Sequence, residues 1–351
     1  VPSTRPPPRS KTPFNLRLHA LDFDLAQAAR RVVEGSLGVV AGDRIVVIVD
    51  EAREALGSAL CEAALAVGGQ PEVAVLERLG RRPLRAAPPA LRSLLENAQA
   101  SVLLIGFEDG EWEMRNALVT AVTELSLRHA HMVGLGRKAM LTGFSVDPQR
   151  VLDATRAVRT RLRPDSVLHL RSPLGSDLTV KLDPATRWQE RVGLIRPGRW
   201  ENLPSGELFT CPADVEGVYV ASASLGGAVG AAAGVLERTP VRFEIKGGVC
   251  KGVQCADRAL AGGVESALRA ERNGDRVGML VLGTNVGIRD ATGEVLCDQN
   301  LPGLHLGFGA TFSQQTGATW DSPSQMLVTA TGGDVDLDGA PLLRSGRYLV
   351  L

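Results

Sequence analysis

The run Gly42-Asp43-Arg44-Ile45-Val46-Val47-Ile48-Val49 carries the fold reading. A Gly-Asp turn is followed by a continuous β-branched stretch without polar alternation, the pattern of a strand covered on both faces, as in a parallel sheet. Residues 53–67 follow with Leu56, Leu60, Ala63, Ala64 and Val67 on one helical stripe, and Gly68-Gly69 ends them. A second short apolar run at 72–76 completes a strand–helix–strand unit. Upstream, residues 22–34 show helical spacing at Leu25, Ala28, Ala29, Val32 and Val33, while downstream 91–97, 101–105 and 112–127 read as helix, strand and helix. Strands alternating with helices predict an α/β domain over 14–165, a parallel sheet with helices on both faces. Residues 1–13, with five prolines and three basic residues and no acid, read as a disordered Pro-rich tail.

Beyond about residue 165 the style changes. Strand-like runs come closely spaced at 167–171, 179–182, 215–222, 241–246, 278–282, 305–308 and 325–329, with one helical pattern at 257–273. This predicts a β-rich α+β domain over 166–351, the boundary falling near Arg163-Pro164-Asp165.

The 351 residues are 44% hydrophobic and 22% charged, and 39 basic residues balance 39 acidic ones, so no global positive field points to nucleic acid or an anionic membrane. No apolar run is long enough to cross a bilayer and no secretory h-region opens the chain, so a cytoplasmic protein with no nucleic-acid or membrane partner is expected. The five cysteines (Cys61, Cys211, Cys250, Cys255, Cys297) are scattered and odd in number, which argues for free thiols over a disulfide framework or zinc ribbon. With five His and two Tyr in the chain, any metal site must come from a short list.

One segment is specific. Asn202-Leu203-Pro204-Ser205-Gly206-Glu207-Leu208-Phe209-Thr210-Cys211-Pro212 resembles the signature of the thermophilic-type metallo-aminopeptidases, the aminopeptidase T and aminopeptidase S group. Gly175-Ser176-Asp177-Leu178-Thr179, Leu282-Gly283-Thr284-Asn285, the run Gly303–Gly309 and Trp320-Asp321 keep the same order, so the resemblance covers about 170–330. The run around His305 is also similar to the iron-dependent 2,5-dihydroxypyridine dioxygenases. The resemblance implies an aminopeptidase-T-like fold, a homodimer, and a two-metal site in which adjacent ions clamp a hydroxide. Carried over residue by residue, the implied ligand positions hold Glu207, Met279, His305, Thr319 and Asp321, and the position of an assisting tyrosine holds Phe312. Glu207, His305 and Asp321 keep ligand chemistry; Met279 is a soft, weak donor and Thr319 replaces an imidazole. The dioxygenase-like arrangement loses both its imidazole positions in the same way.

The expectation is therefore a residual pocket of Glu207, Met279, His305, Phe312, Thr319 and Asp321 without catalytic residues and without cofactor. The alternative is one divalent zinc, iron or manganese ion on Glu207, His305 and Asp321, serving a mononuclear aminopeptidase, other hydrolase or ring-cleaving dioxygenase. His129 and His131 have the spacing of one strand face, but follow a helical pattern ending near Arg128 and are expected at its C-terminus, where the macrodipole favours them. His19 and His169 stand alone. Gly134-Leu135-Gly136 and Gly226-Gly227 lack a phosphate-loop context, residues 221–235 read as tight packing or a flexible loop, and Asp334, Asp336 and Asp338 read as a solvated hairpin. Together these readings predict a pseudoenzyme: an aminopeptidase-like protein that binds a peptide in the former cleft or on a strand edge. It resembles the non-peptidase accessory proteins of ribosomal-peptide (RiPP) natural-product pathways such as crocagin biosynthesis, whose ligand would be a precursor peptide.

Overall fold

The computed structural model describes residues 23–351; the expected tail (1–13) and His19 lie outside the described residues. The first half runs α1 (Phe23–Arg30), β1 (Arg44–Val49), α2 (Glu54–Ala66), β2 (Gln70–Val75), α3 (Pro89–Leu95), β3 (Ala100–Leu104), α4 (Trp112–Glu124), β4 (Arg128–His131), α5 (Arg137–Gly143) and α6 (Pro148–Arg159). Local chemistry sets these limits. Gly68, at φ +80°, turns the chain after α2. Asp147 caps α6 by accepting a hydrogen bond from the Gln149 amide, with Pro148 at the first helical position.

The second half runs β5 (Val167–Arg171), β6 (Asp177–Leu182), β7 (Gln189–Arg191), β8 (Arg199–Asn202), β9 (Glu207–Thr210), β10 (Pro212–Ala221), α7 (Gly227–Ala233), β11 (Val241–Lys246), β12 (Val249–Gln254), α8 (Arg258–Arg269), β13 (Val277–Gly283), α9 (Val295–Asp298), β14 (Gly303–Gly309), α10 (Ser313–Thr316), β15 (Gln325–Val328), β16 (Asp334–Leu337), β17 (Ala340–Arg344) and β18 (Arg347–Tyr348). The Ala/Gly-rich stretch expected to be loop or close packing supplies the short helix α7. The Asp334–Asp338 run is strand β16 and the start of its turn into β17, where Asp338 accepts from the Val167 amide and pairs with Arg163.

Three sheets result. The parallel sheet has the order β2-β1-β3-β4-β8. Ile45, Val47 and Val49 pack on one face with α1, α2 and α5; Val46 and Ile48 pack on the other with α3 and α4. Helices therefore cover both faces, as the unbroken apolar run of β1 predicts. Its fifth strand, β8, comes from beyond residue 165 and pairs with β4 from Arg128↔Arg199 to His131↔Asn202. Residue 165 thus does not close off the first sheet.

One local expectation is corrected. His129 and His131 stand on β4 and not at a helix end, because α4 stops at Glu124 and Ser126, at φ +57°, reverses the chain. Pairing with β3 then places both imidazoles on one face.

The other two sheets pack face to face. An eight-stranded sheet (β12-β11-β10-β6-β5-β16-β17-β18) and a five-stranded sheet (β15-β14-β13-β9-β7) enclose one apolar core. Strand alternation does the sorting. Leu208, Leu280, Leu282, Leu304, Leu306 and Phe308 of the smaller sheet face the sandwich, whereas Phe209, Met279 and Val281 face away from it. Tyr219 of β10 crosses the layer and donates to the Leu304 and Val328 carbonyls at 3.2 and 3.1 Å. Its hydroxyl is fully buried, so Tyr219→Phe is expected to lower stability by about 1–2 kcal/mol, read as a urea-midpoint shift at unchanged m value.

Candidate functional site

The face of the five-stranded sheet that turns away from the sandwich meets the C-terminal ends of β4 and β8. Between them lies a cavity of about 370 Å³. This is where an open parallel sheet ordinarily receives a ligand, outside the carboxyl ends of its strands. Its walls are aromatic on both sides: Phe107, Trp112 and Trp200 from the first sheet's side, Phe209 and Phe312 from the other. The volume is within the range of small-molecule and peptide-end pockets.

Two carboxyls face it. Glu207 opens β9, opposite Gly283 of β13 and Arg191 of β7, with the parity that sends Phe209 to the same side. Among the described residues no hydrogen bond is made to its carboxyl, and burial raises its pKa to about 7, which Arg191 opposes and Glu201 reinforces. Glu201, on β8, is also shifted upward, chiefly by burial and against the pull of the Gly193 amide, which donates to it at 2.9 Å. Arg191 is held by Gln315 at 2.6 Å and lies over the Phe209 ring.

His131 is packed against Trp200 with ring centroids 5.7 Å apart. Burial, and the Arg115 charge beside it, bring its pKa down to about 3, so it is neutral at physiological pH. His129 behind it shares a hydrogen bond with Ser101 at 2.8 Å and is held well below the usual imidazole range by burial and by His131.

The expected residues divide. Glu207, Met279 and Phe312 line the cavity. The Met279 sulfur accepts a contact from the Gln325 amide at 3.2 Å. Phe312 meets Phe209 at a 60° interplanar angle, centroids 5.8 Å apart. His305 lies on the same sheet face, opposite Val281, but does not line the cavity. Its Nδ1 accepts from the Ala330 amide at 3.3 Å, which leaves the proton on Nε2 to be donated to the Leu301 carbonyl at 2.8 Å. Burial lowers its pKa to about 4 and outweighs that carbonyl.

Asp321 lies outside the cavity as well. Its Oδ1 accepts from the amides of Thr311 and Ser322, its Oδ2 from that of Ser313. Burial works to raise its pKa, but these amides and the Ser313 hydroxyl prevail and hold it at about 2. They flank Phe312, which sits in the left-handed region at φ +51°, ψ +51°, so Asp321 staples the strained turn that aims the Phe312 ring. Thr319 is exposed on the surface.

In the structure these residues do not converge as the single-ion alternative requires. A metal needs free lone pairs converging on one point. Both His305 nitrogens are engaged by backbone, both Asp321 oxygens accept from amides, and neither residue shares the cavity with Glu207. Among the described residues no three His, Cys, Asp or Glu side chains form a group able to hold a metal ion. The residues at the positions the resemblance assigns to metals do not fit a metal.

The sequence reading missed Arg115, His131, Arg191, Trp200 and Glu201. The spacing of His129 and His131 was the available signal for one of them. Segment 186–202 has neither helical nor strand periodicity long enough to show that Arg191 and Glu201 face one space.

No family model and no curated protein matches the chain. Solved structures do. The 2,5-dihydroxypyridine dioxygenase of Pseudomonas putida KT2440 superposes with a TM-score of 0.63 at 17% identity, over 93% of this chain and 96% of that one. Wild-type AmpT of Thermus thermophilus superposes with a TM-score of 0.66 at 18% identity, over 93% and 99%. What is shared at these identities is the fold, an α/β half with a parallel sheet joined to antiparallel sheets, of the aminopeptidase T type.

The Glu207 shift has a measurable sign. A carboxyl whose folded pKa exceeds its unfolded one binds its proton more tightly when folded, so its contribution is most favourable below the unfolded value near 4.5 and is lost as pH rises to about 7. Glu207→Gln is expected to stabilise the protein by about 2–3 kcal/mol at pH 8 and by under about 1 kcal/mol at pH 5. Urea denaturation at both pH values checks this; equal effects at the two would refute the assigned protonation.

Proposed function

We propose that this protein is an aminopeptidase-like binding protein without metallopeptidase chemistry, and that its cavity takes a short peptide segment. One observation carries the reading: the cavity keeps an aromatic, partly desolvated interior, while His305 and Asp321 are committed to backbone hydrogen bonds outside it. Aromatic walls with a few polar groups suit a peptide end, since rings bury area at low entropic cost and Gln299, Gln315, Gln325 and Asn202 can bond its backbone. Strand-edge pairing is a compatible mode, because β7 and β8 end their sheets and both supply cavity residues. On this reading the protein is an accessory that holds a precursor peptide for a separate enzyme, and the homodimer and cytoplasmic setting implied by the resemblance and composition belong to the same proposal. No described helix is long and apolar enough to cross a membrane.

Two measurements test it. Protein purified without chelator is expected to carry no stoichiometric zinc, iron or manganese and to keep its melting temperature in EDTA; stoichiometric metal that disappears in His305→Ala would overturn the reading. Titration calorimetry against peptides encoded beside this gene is expected to show binding that Phe312→Ala weakens by about tenfold or more, through loss of an aromatic wall of the cavity. Failure of every such peptide to bind would count against the function.

A further inference from the structure

Arg115 stands on α4 with its guanidinium half-buried in the cavity wall. Among the described residues no group accepts a hydrogen bond from that guanidinium, and its Nε is fully buried without a partner. Elsewhere at this end of the parallel sheet guanidinium groups are matched. Arg53 reaches Asp50 at 2.8 Å. Arg82 grips Glu111 with two bonds, of 2.9 and 2.7 Å. That grip, together with the Leu84 amide at 3.0 Å, occupies the acid that would otherwise serve Arg115. His131 beside it is neutral and offers no counter-charge. Glu111, one helical turn back, attracts Arg115 by charge but accepts no hydrogen bond from it, so a half-withdrawn cation keeps unsatisfied donors, an unfavourable arrangement that a bound anion relieves.

The surroundings describe the anion. Arg115 Cζ lies 5.4 Å from the Phe107 ring centre and 5.8 Å from that of Trp112. Phe107, Trp112 and Trp200 are large apolar side chains left exposed on the cavity rim. A planar fork held between rings, with apolar surface on each side, suits an organic anion whose carboxylate meets the guanidinium while its carbon skeleton covers the rings.

We propose that Arg115 anchors a carboxylate subsite, so that the peptide taken by this cavity is one presenting a carboxylate, at its C-terminus or on an Asp or Glu side chain, beside the aromatic rim. The inference rests on the reading of the cavity as a peptide site and adds the charge that selects among peptides.

The test uses the full chain and three probes, followed by quenching of tryptophan fluorescence: Ala-Ala-Phe with a free C-terminus, its C-terminal amide, and Ala-Asp-Phe amide. At least one of the two carboxylate peptides is expected to bind with a Kd at least tenfold lower than Ala-Ala-Phe amide, and which one does so identifies the source of the carboxylate. Arg115→Gln is expected to cut that advantage to less than about threefold. Arg115→Lys, which keeps the charge without the fork, falls between. Arg115→Met, relieved of a half-buried cation whose donors are unsatisfied, is expected to melt no lower than the parent, which separates loss of binding from loss of fold. Equal binding of all three probes by the parent overturns the Arg115 anchor and leaves the peptide cavity standing, as does equal weakening of all three by Arg115→Gln. Absence of binding by all three probes overturns both.

Discussion

The five-stranded sheet must satisfy two neighbours at once, and the alternation of its strands, which in β13 holds from Met279 onward past a register shift after Val277, is what allows it. Leu208, Leu280, Leu282, Leu304 and Leu306 close the sandwich on one side. One residue along in each strand, Glu207, Phe209, Met279, Val281 and His305 fall on the side turned to the parallel sheet. A slip of one residue in β9 would drive the Glu207 carboxyl into the leucine core and bring Leu208 into the cavity. Pairing of β9 with both β13 and β7 excludes that slip. The cavity is therefore the outer surface of a core, and its composition is bound to the register of that core.

Much of the first half was legible because its strands and helices advertise themselves locally. β1 is an apolar run with no polar break, and α2 carries a stripe ending in glycine. β4 was not legible, since four residues with two histidines following a helix look like its last turn. Only sheet pairing, a contact with β3 nearly thirty positions earlier, decides the matter. β8 is a harder case: Arg199, Trp200, Glu201 and Asn202 have no strand signature, and their membership in the parallel sheet depends on β4 having an open edge.

The site was legible in part for a related reason. Glu207, Met279 and Phe312 belong to motifs whose order survives, and they line the cavity. Motif order does not report what each side chain touches. His305 and Asp321 keep the residue types of a metal site, yet one is a cross-link between Leu301 and Ala330 and the other a staple for the turn at Phe312. A histidine or an aspartate can persist at a position because backbone amides and carbonyls there need a partner. The residues that give the cavity its charge, Arg115, Arg191 and Glu201, come from three separated elements and meet only in the folded chain.

The return of the chain to the parallel sheet also bears on the order in which the molecule can be made. While the chain lengthens, β1 to β4 and their helices can gather as soon as they emerge, but β4 waits with one side unpaired until residues 199–202 arrive. During that interval the row of amides and carbonyls on β4 is open to any extended strand. The segment that ends the vulnerability, β8, also brings Trp200 and Glu201 to the cavity. Completion of the sheet and completion of the site are thus a single event, and a chain halted before it has neither.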